Sequence, residues 1–232
     1  MSARIRLVGA RRSYRRGDEE VHALRGVDLE LDAGGLYALT GPSGSGKSTL
    51  LLVMAGWEHL DEGVVEVADE ADGVGAASSQ APARLHWNQL SVVPQALGLL
   101  DDLTVAENVL LPARLGRRSR DAYPANDDHV SSLFESLDIE RLRFARGNEL
   151  SLGEQQRVAV ARALVLHPVV VLADEPSTHQ DADHGRAVFE ALRAAADRGA
   201  IVVVASHDPE GLRYADRVLA MSDGELSEIA RH

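Results

Sequence analysis

The chain has 232 residues, 45% apolar and 26% charged, with 36 acidic side chains against 24 basic ones, a formal net charge of −12 and no cysteine. This length and composition can bury a substantial core as one domain with a subdomain, while the acidic balance argues against nucleic acid as the main partner, which calls for a basic face. The missing cysteines exclude disulfides and thiolate metal sites and fit a reducing interior.

The first residues, with arginines at 4, 6, 11 and 12 and no apolar core segment, do not read as a secretion signal. Ile5–Val8 reads as a first strand, followed by a basic turn, Arg11-Arg12-Ser13-Tyr14-Arg15-Arg16. Alone, such a cluster is a solvated face. An aromatic shortly before a phosphate-binding loop is also suited to stack on an adenine ring, with the arginines adding favourable potential for an anion. Leu24 to Leu31 alternates as a half-buried strand, and Asp32-Ala33-Gly34-Gly35 turns into a short apolar strand ending at Thr40.

Residues 41–49, Gly41-Pro42-Ser43-Gly44-Ser45-Gly46-Lys47-Ser48-Thr49, then fit the pattern GxxxxGK[ST], and Leu50–Ala55 continues as an apolar helical run. Strand, glycine loop and helix in that order predict a nucleoside triphosphate site. Glycines 41, 44 and 46 let the backbone N–H groups wrap phosphate oxygens at the positive end of the helix. Lys47 supplies a point charge to the β and γ phosphates and the Ser48 hydroxyl serves magnesium. Of the 24 basic residues, Lys47 is the only lysine. A generic positive charge in this chain is therefore an arginine, and the bulkier planar guanidinium does not replace a compact ammonium in a tight phosphate nest.

Val64–Val67 reads as another strand, and Ala68 to Pro82, rich in Ala, Gly, Ser and Asp, as a surface loop. Leu90–Gln95 is a strand ending on a glutamine. From Leu103 to Leu166 the pattern turns helical, with a capping box at Thr104–Glu107 and apolar positions at Val130, Leu133, Phe134 and Leu137. Val169–Pro176 is an apolar strand ending in Asp174 and Glu175, the device by which an α/β sheet delivers carboxylates to a ligand. In an ATPase, Asp174 would hold magnesium and Glu175 would polarise the attacking water. Ile201–Asp208 repeats the device and ends near His207, within reach of a γ-phosphate. No apolar run reaches membrane-spanning length, because the longest, Val158 to Ala173, is broken by Arg162, His167 and Pro168. A membrane role therefore has to come through a partner.

Taken together, Tyr14, the phosphate loop, Gln95, Leu150-Ser151-Leu152-Gly153-Glu154-Gln155-Gln156-Arg157, Asp174-Glu175-Pro176 and Ser206-His207-Asp208 resemble, in that order, the nucleotide-binding subunit of an ATP-binding-cassette (ABC) transporter. Within the family the chain is similar to the branch of macrolide-efflux, lipoprotein-release and cell-division ATPases. The resemblance implies an α/β P-loop NTPase with a RecA-like core, an antiparallel β subdomain and an inserted helical subdomain, as one domain over 1–232. Residues 1–95 would form the β subdomain and loop core, 96–165 the helical part with the signature, and 166–232 the rest of the core. It also implies a head-to-tail homodimer or heterodimer of cassettes around two ATP molecules, at the cytoplasmic face of the cell membrane on an integral-membrane permease. By the same resemblance Tyr14 stacks on adenine, and Gly41, Ser43, Gly44, Gly46, Lys47, Ser48 and Thr49 hold phosphate. Ser151 and Gly153 meet the partner's ATP. Ser48, Gln95 and Asp174 serve Mg2+, and Glu175, Gln95 and His207 form the catalytic set.

Two positions depart from the family pattern. The signature's third residue is Leu152 where the family has glycine, which predicts backbone strain of roughly 1–2 kcal/mol if the position needs a glycine-only conformation. Ser151-Leu152-Gly153-Glu154 is at the same time a capping box that starts a helix in any protein. Gln180 stands where the family has leucine after Glu175, in a segment that crosses the dimer interface. Both predict reduced or partner-dependent turnover. The competing readings are a division-type regulatory ATPase that binds ATP at the membrane without transporting and, more weakly, soluble cassettes acting on DNA or ribosomes. The Gln95–Leu150 interval is too short for the long insertions of the DNA-acting members.

Overall fold

The computed structural model describes residues 3–17, 19–68, 87–115 and 128–229. In chain order the strands are β1 (Arg4–Arg16), β2 (Glu19–Asp32), β3 (Leu36–Thr40), β4 (Glu62–Ala68), β5 (Leu90–Val93), β6 (Val170–Asp174), β7 (Ile201–Ala205), β8 (Arg217–Ser222) and β9 (Glu225–Ile229). The helices are α1 (Lys47–Met54), α2 (Val105–Val109), α3 (Leu111–Leu115), α4 (Asp128–Ser136), α5 (Leu152–Leu164), α6 (Ala182–Asp197) and α7 (Pro209–Tyr214).

The strands form a three-stranded antiparallel sheet, β2-β1-β4, and a six-stranded sheet, β5-β6-β7-β3-β8-β9. The first five strands of the larger sheet run parallel and β9 pairs antiparallel with β8. Arg11–Arg16, expected as a basic turn, is instead the continuation of β1: it stays paired with β2 to the end, and Gly17 follows it at φ +65°. Cross-strand pairing of opposite charges, as at Arg15 and Glu20, favours strand over turn for such a basic run. β5 closes at Val93, so Pro94 and Gln95 lie just beyond it. Of the Ala68–Pro82 segment only Ala68 lies among the described residues, as the end of β4, and of the arginine cluster at 114–120 only Arg114 and Leu115 do; Arg114 reaches Glu107 at 3.5 Å.

The continuous apolar runs of β3, β6 and β7 hide a two-faced pattern. Leu36, Ala38, Val171, Ala173, Val202 and Val204 pack on one side with α4, α5 and α6, around Phe134 and Phe189. Tyr37, Leu39, Val170, Leu172, Ile201 and Val203 pack on the other with α1 and the inner face of the antiparallel sheet, including Ile5 and Leu7. A parallel sheet covered on both faces leaves its strand ends as the accessible edge.

The helical part is tied down by polar contacts as well as apolar ones. Thr104 and Glu107 form the expected capping box at α2, with Glu107 N donating to Thr104 Oγ1 at 3.2 Å and Thr104 N to Glu107 Oε2 at 3.0 Å. We expect Thr104→Ala to cost about 1 kcal/mol, read as a lower denaturant midpoint at unchanged slope. Fully buried Asn108 accepts from Leu100 N (2.9 Å) and donates to the carbonyls of Leu100, Leu103 and Thr104, fastening residues 100–104 onto α2. Arg162, expected only as a break in an apolar run, is buried in α5 and donates to Leu97 O (2.5 Å) and Gly98 O (2.8 Å). Burial pushes its guanidinium below the ordinary arginine value. These bonds bolt the segment after Gln95 to α5.

Candidate active site

Strand register sets the site. Leu39 of β3 and Asp174 of β6 both pair with Ala205 of β7, and Val93 of β5 pairs with Ala173. Four neighbouring strands therefore end level, and the segments leaving them carry Gly41–Thr49, Asp174–Glu175, Ser206–His207 and Gln95.

Between β3 and α1 the chain folds into a cradle that excludes side chains. Gly41 has φ +144°, and a Cβ there would lie 2.1 Å from Met221 O; Gly46 has φ +107°, and its Cβ would lie 2.2 Å from Ala23 O. Gly46 is also the N-cap of α1 and supplies no capping side chain, leaving the helix's first N–H groups for an anion. Ser45 is buried and its hydroxyl has no partner among the described residues. Lys47 Nζ donates to Gly41 O (2.8 Å) and Pro42 O (3.0 Å), which holds the ammonium over the loop. Ser43 and Gly44 are exposed, and Thr49 is half-buried in the first turn of α1.

Ser48 Oγ donates to Asp174 Oδ2 at 2.7 Å, joining positions 126 residues apart. A hydroxyl beside a carboxylate is a hard oxygen donor pair, which fits magnesium; that ion takes few protein ligands and completes its shell with water and phosphate. Among the described residues no cluster of three or more metal-ligating side chains occurs, so a cage that would hold an ion without phosphate is not seen there.

Glu175 follows at φ +52°, a left-handed conformation uncommon for a side-chain-bearing residue. Its N–H donates to Ala205 O (2.8 Å), and its carbonyl accepts from Gln156 Nε2 (2.6 Å), so the strained residue is fixed from two elements. The carboxylate, only 18% exposed, lies 3.0 Å from Nδ1 of His207, whose ring is 77% exposed. Ser177 Oγ donates to Asp208 Oδ2 (3.2 Å), and Asp208 N to Ser206 Oγ (3.0 Å), lacing the two strand ends together. The spacing of Gln156, Ser177 and Asp208 in the chain does not announce these roles.

The other expected positions lie on other elements, and the cavities that Tyr14 and the Ser151 turn line include none of the loop residues Gly41–Thr49. Gln95 is exposed just past the end of β5, beside β6. Tyr14 lies on β1 with Arg12 over its ring at 4.8 Å, and Arg12 is held by Glu58 and Asp61, each at 2.7 Å. Tyr14 lines a groove of about 810 Å³ with Arg11, Arg15, His22 and Arg25.

Ser151 and Gly153 line a different cavity, of about 420 Å³, shared with Arg141, Arg157, His179 and Gln180. Ser151 caps α5: Ser151 N donates to Glu154 Oε2 (2.9 Å) and Glu154 N to Ser151 Oγ (3.3 Å). Burial opposes the Glu154 carboxylate, yet the Ser151 bonds and Arg141 outweigh it and hold the group below its usual range. The strain expected at Leu152 is absent. The residue is the first of α5, in ordinary helical backbone, with its side chain 48% exposed. Leu152→Gly is therefore expected to lower stability by up to about 1 kcal/mol in a urea titration; relief of strain would have raised it.

A glycine cradle with one lysine, a hydroxyl–carboxylate pair and a second acid at the next position, all on the edge of a parallel sheet, define a P-loop nucleoside triphosphatase. The sequence family model described as "ABC transporter" matches residues 24–178, about two thirds of the chain, and the chain belongs to that family of ATPases. It is 36% identical over 229 residues to the macrolide export ATP-binding/permease protein MacB of Shigella dysenteriae, covering 97% of this chain and 34% of that protein. It is 35% identical over 226 residues to the lipoprotein-releasing system ATP-binding protein LolD of Zymomonas mobilis, covering 97% and 95%. The chain thus spans about a third of the macrolide-export relatives and nearly all of the lipoprotein-releasing one. Among solved structures, the dimeric bacterial ABC transporter cassette MJ0796 superposes with a TM-score of 0.83 at 29% identity, over 98% of this chain and all of that one. The same cassette has also been solved as a post-hydrolysis dimer with ADP and Pi.

Proposed function

We propose that this chain is the ATP-binding and ATP-hydrolysing subunit of a membrane transporter, working as one of a head-to-tail pair of cassettes on an integral-membrane permease of exporter or lipoprotein-handling type. The observation that carries it is the 2.7 Å bond from Ser48 to Asp174, with Glu175 next in the chain: it brings the phosphate loop and the acidic strand end to one point. The MacB and LolD likenesses support the transporter, and the dimeric MJ0796 cassette supports the pairing.

In this reading Gly41–Thr49 wrap the phosphates, Lys47 neutralises the β and γ groups, and Tyr14 stacks on the base. Ser48 and Asp174, with Gln95, hold the magnesium ion, which when bound offsets charge on the phosphates. Glu175 orients the attacking water and takes its proton. His207 holds the Glu175 carboxylate and would meet the γ-phosphate. Ser151 and Gly153 offer the start of α5 to the nucleotide on the partner cassette. No helix among the described residues is long and apolar enough to cross a membrane, in keeping with attachment through the permease at its cytoplasmic side.

The test is recovery of the tagged chain from its own cells in detergent, with ATP and the Glu175→Gln substitution to hold a closed pair. Co-purification of a multi-span membrane protein is expected, together with ATP binding that Lys47→Ala abolishes. Recovery of soluble proteins alone would sink the transporter assignment and leave a regulatory ATPase.

A further inference from the structure

Three side-chain bonds join the first turns of α5 to the segment after the general base. Gln156 Nε2 donates to Glu175 O (2.6 Å), Arg157 Nη1 donates to Gln180 Oε1 (2.9 Å), and Gln180 Nε2 donates to Gly153 O (2.8 Å). The two backbones approach so closely that a Cβ on Gly153 would lie 3.0 Å from His179 O. Arg157 is buried, and its Nε has no partner among the described residues. Its attraction to Asp138, Glu154 and Asp181 acts through space, leaving the Gln180 amide as its hydrogen-bond acceptor. A side-chain amide accepts and donates at once. The leucine of the family pattern does neither.

We propose that Gln180 is a positioning residue: its amide clamps the base-bearing segment to the Ser151–Gly153 turn, so that the two move as one body and pass displacement between the two sites of a cassette pair. The proposal rests on the head-to-tail reading above. There Glu175 serves the chain's own nucleotide and the Ser151 turn serves its partner's. A rigid clamp between them makes closure at one site felt at the other. It reverses the reduced turnover expected of the departure at Gln180, because a polar bridge is directional and fixes a distance where an apolar contact would let the two segments slide.

The experiment compares the full-length wild-type chain with Gln180→Leu and with the double variant Arg157→Met/Gln180→Leu. Hydrogen exchange of amides 154–157, measured without nucleotide, is expected to accelerate in Gln180→Leu. The kcat for ATP should fall about tenfold while KM stays within about twofold, and the Hill coefficient for ATP should drop toward one. The double variant removes the buried guanidinium along with its acceptor. It is expected to regain the wild-type denaturation midpoint without regaining kcat, because Gly153 stays unclamped. Unchanged exchange in Gln180→Leu overturns the clamp. Turnover that returns with stability in the double variant overturns the positioning role, reducing Gln180 to a partner for Arg157. A wild-type chain that binds no ATP sinks the underlying ATPase reading instead, and exchange alone then decides whether the clamp exists.

Discussion

Replacing Glu175 by glutamine is expected to lower ATP turnover by about 10²–10⁴-fold, the range set by removing a general base, while ATP binding and the fold persist. The geometry argues for this separation. Glu175 is held by its backbone, through Ala205 O and Gln156 Nε2, and neither bond involves the carboxylate. Glutamine is nearly isosteric and can still meet His207, so the left-handed conformation at φ +52° need not relax. What is lost is the capacity to take a proton. In the proposed reading binding rests on other groups: the Gly41–Thr49 cradle, Lys47, Ser48 and Asp174 are unaltered. The check is single-turnover hydrolysis beside a nucleotide titration. A fall in both, with the melting temperature unchanged, would mean that Glu175 contributes to holding the nucleotide and is not confined to the chemical step.

The parts of this arrangement that were legible in the sequence are those whose chemistry dictates residue type and spacing at short range. The loop needs glycines at fixed offsets and one compact cation. The carboxylates need an apolar strand to carry them, and the starts of α2 and α5 announce themselves through a hydroxyl three residues before a glutamate. Contacts between distant positions were hidden. Nothing local distinguishes Gln156 from its neighbour Gln155, yet Gln156 reaches the Glu175 carbonyl 19 residues away while Gln155 turns to Leu150 O. The arginine-rich end of β1 reads as a solvated turn until its pairing with β2 is known, because charge density is visible in a sequence and cross-strand register is not. At Leu152 the resemblance leaves strain conditional on a glycine-only backbone, and the capping box at Ser151, legible in the sequence, sets an ordinary helical conformation at the next residue. In the sequence Arg162 reads as the break in an apolar run, and only the carbonyls of Leu97 and Gly98 explain why a cation is buried there.

Gly46→Ala is expected to cost roughly 3–5 kcal/mol of stability, or to lower ATP affinity by at least about 100-fold if the loop reshapes to survive it. Two costs add at this position. An L-residue at φ +107° is strained by itself, and the new methyl would lie 2.2 Å from Ala23 O, a backbone oxygen of β2 at the point where its register with β1 shifts between Leu24 and His22. The nearby Met221 Cε, 2.8 Å away, is a flexible side-chain end and can move. Gly44 provides the internal control. It too has a left-handed φ, +80°, but a Cβ there meets nothing within 4 Å, so Gly44→Ala should cost only the conformational strain, about 1–2 kcal/mol. Urea denaturation of both variants, paired with ATP titration, separates the contributions. If the two variants lose equal stability, conformational strain alone accounts for both glycines and the Ala23 contact has no energetic role. If Gly46→Ala loses far more, the close packing of the loop against β2 is what fixes α1 in the orientation that aims its first N–H groups at phosphate. The antiparallel sheet would then be a working part of the nucleotide site, since the strand that braces Gly46 belongs to the same hairpin that carries Tyr14.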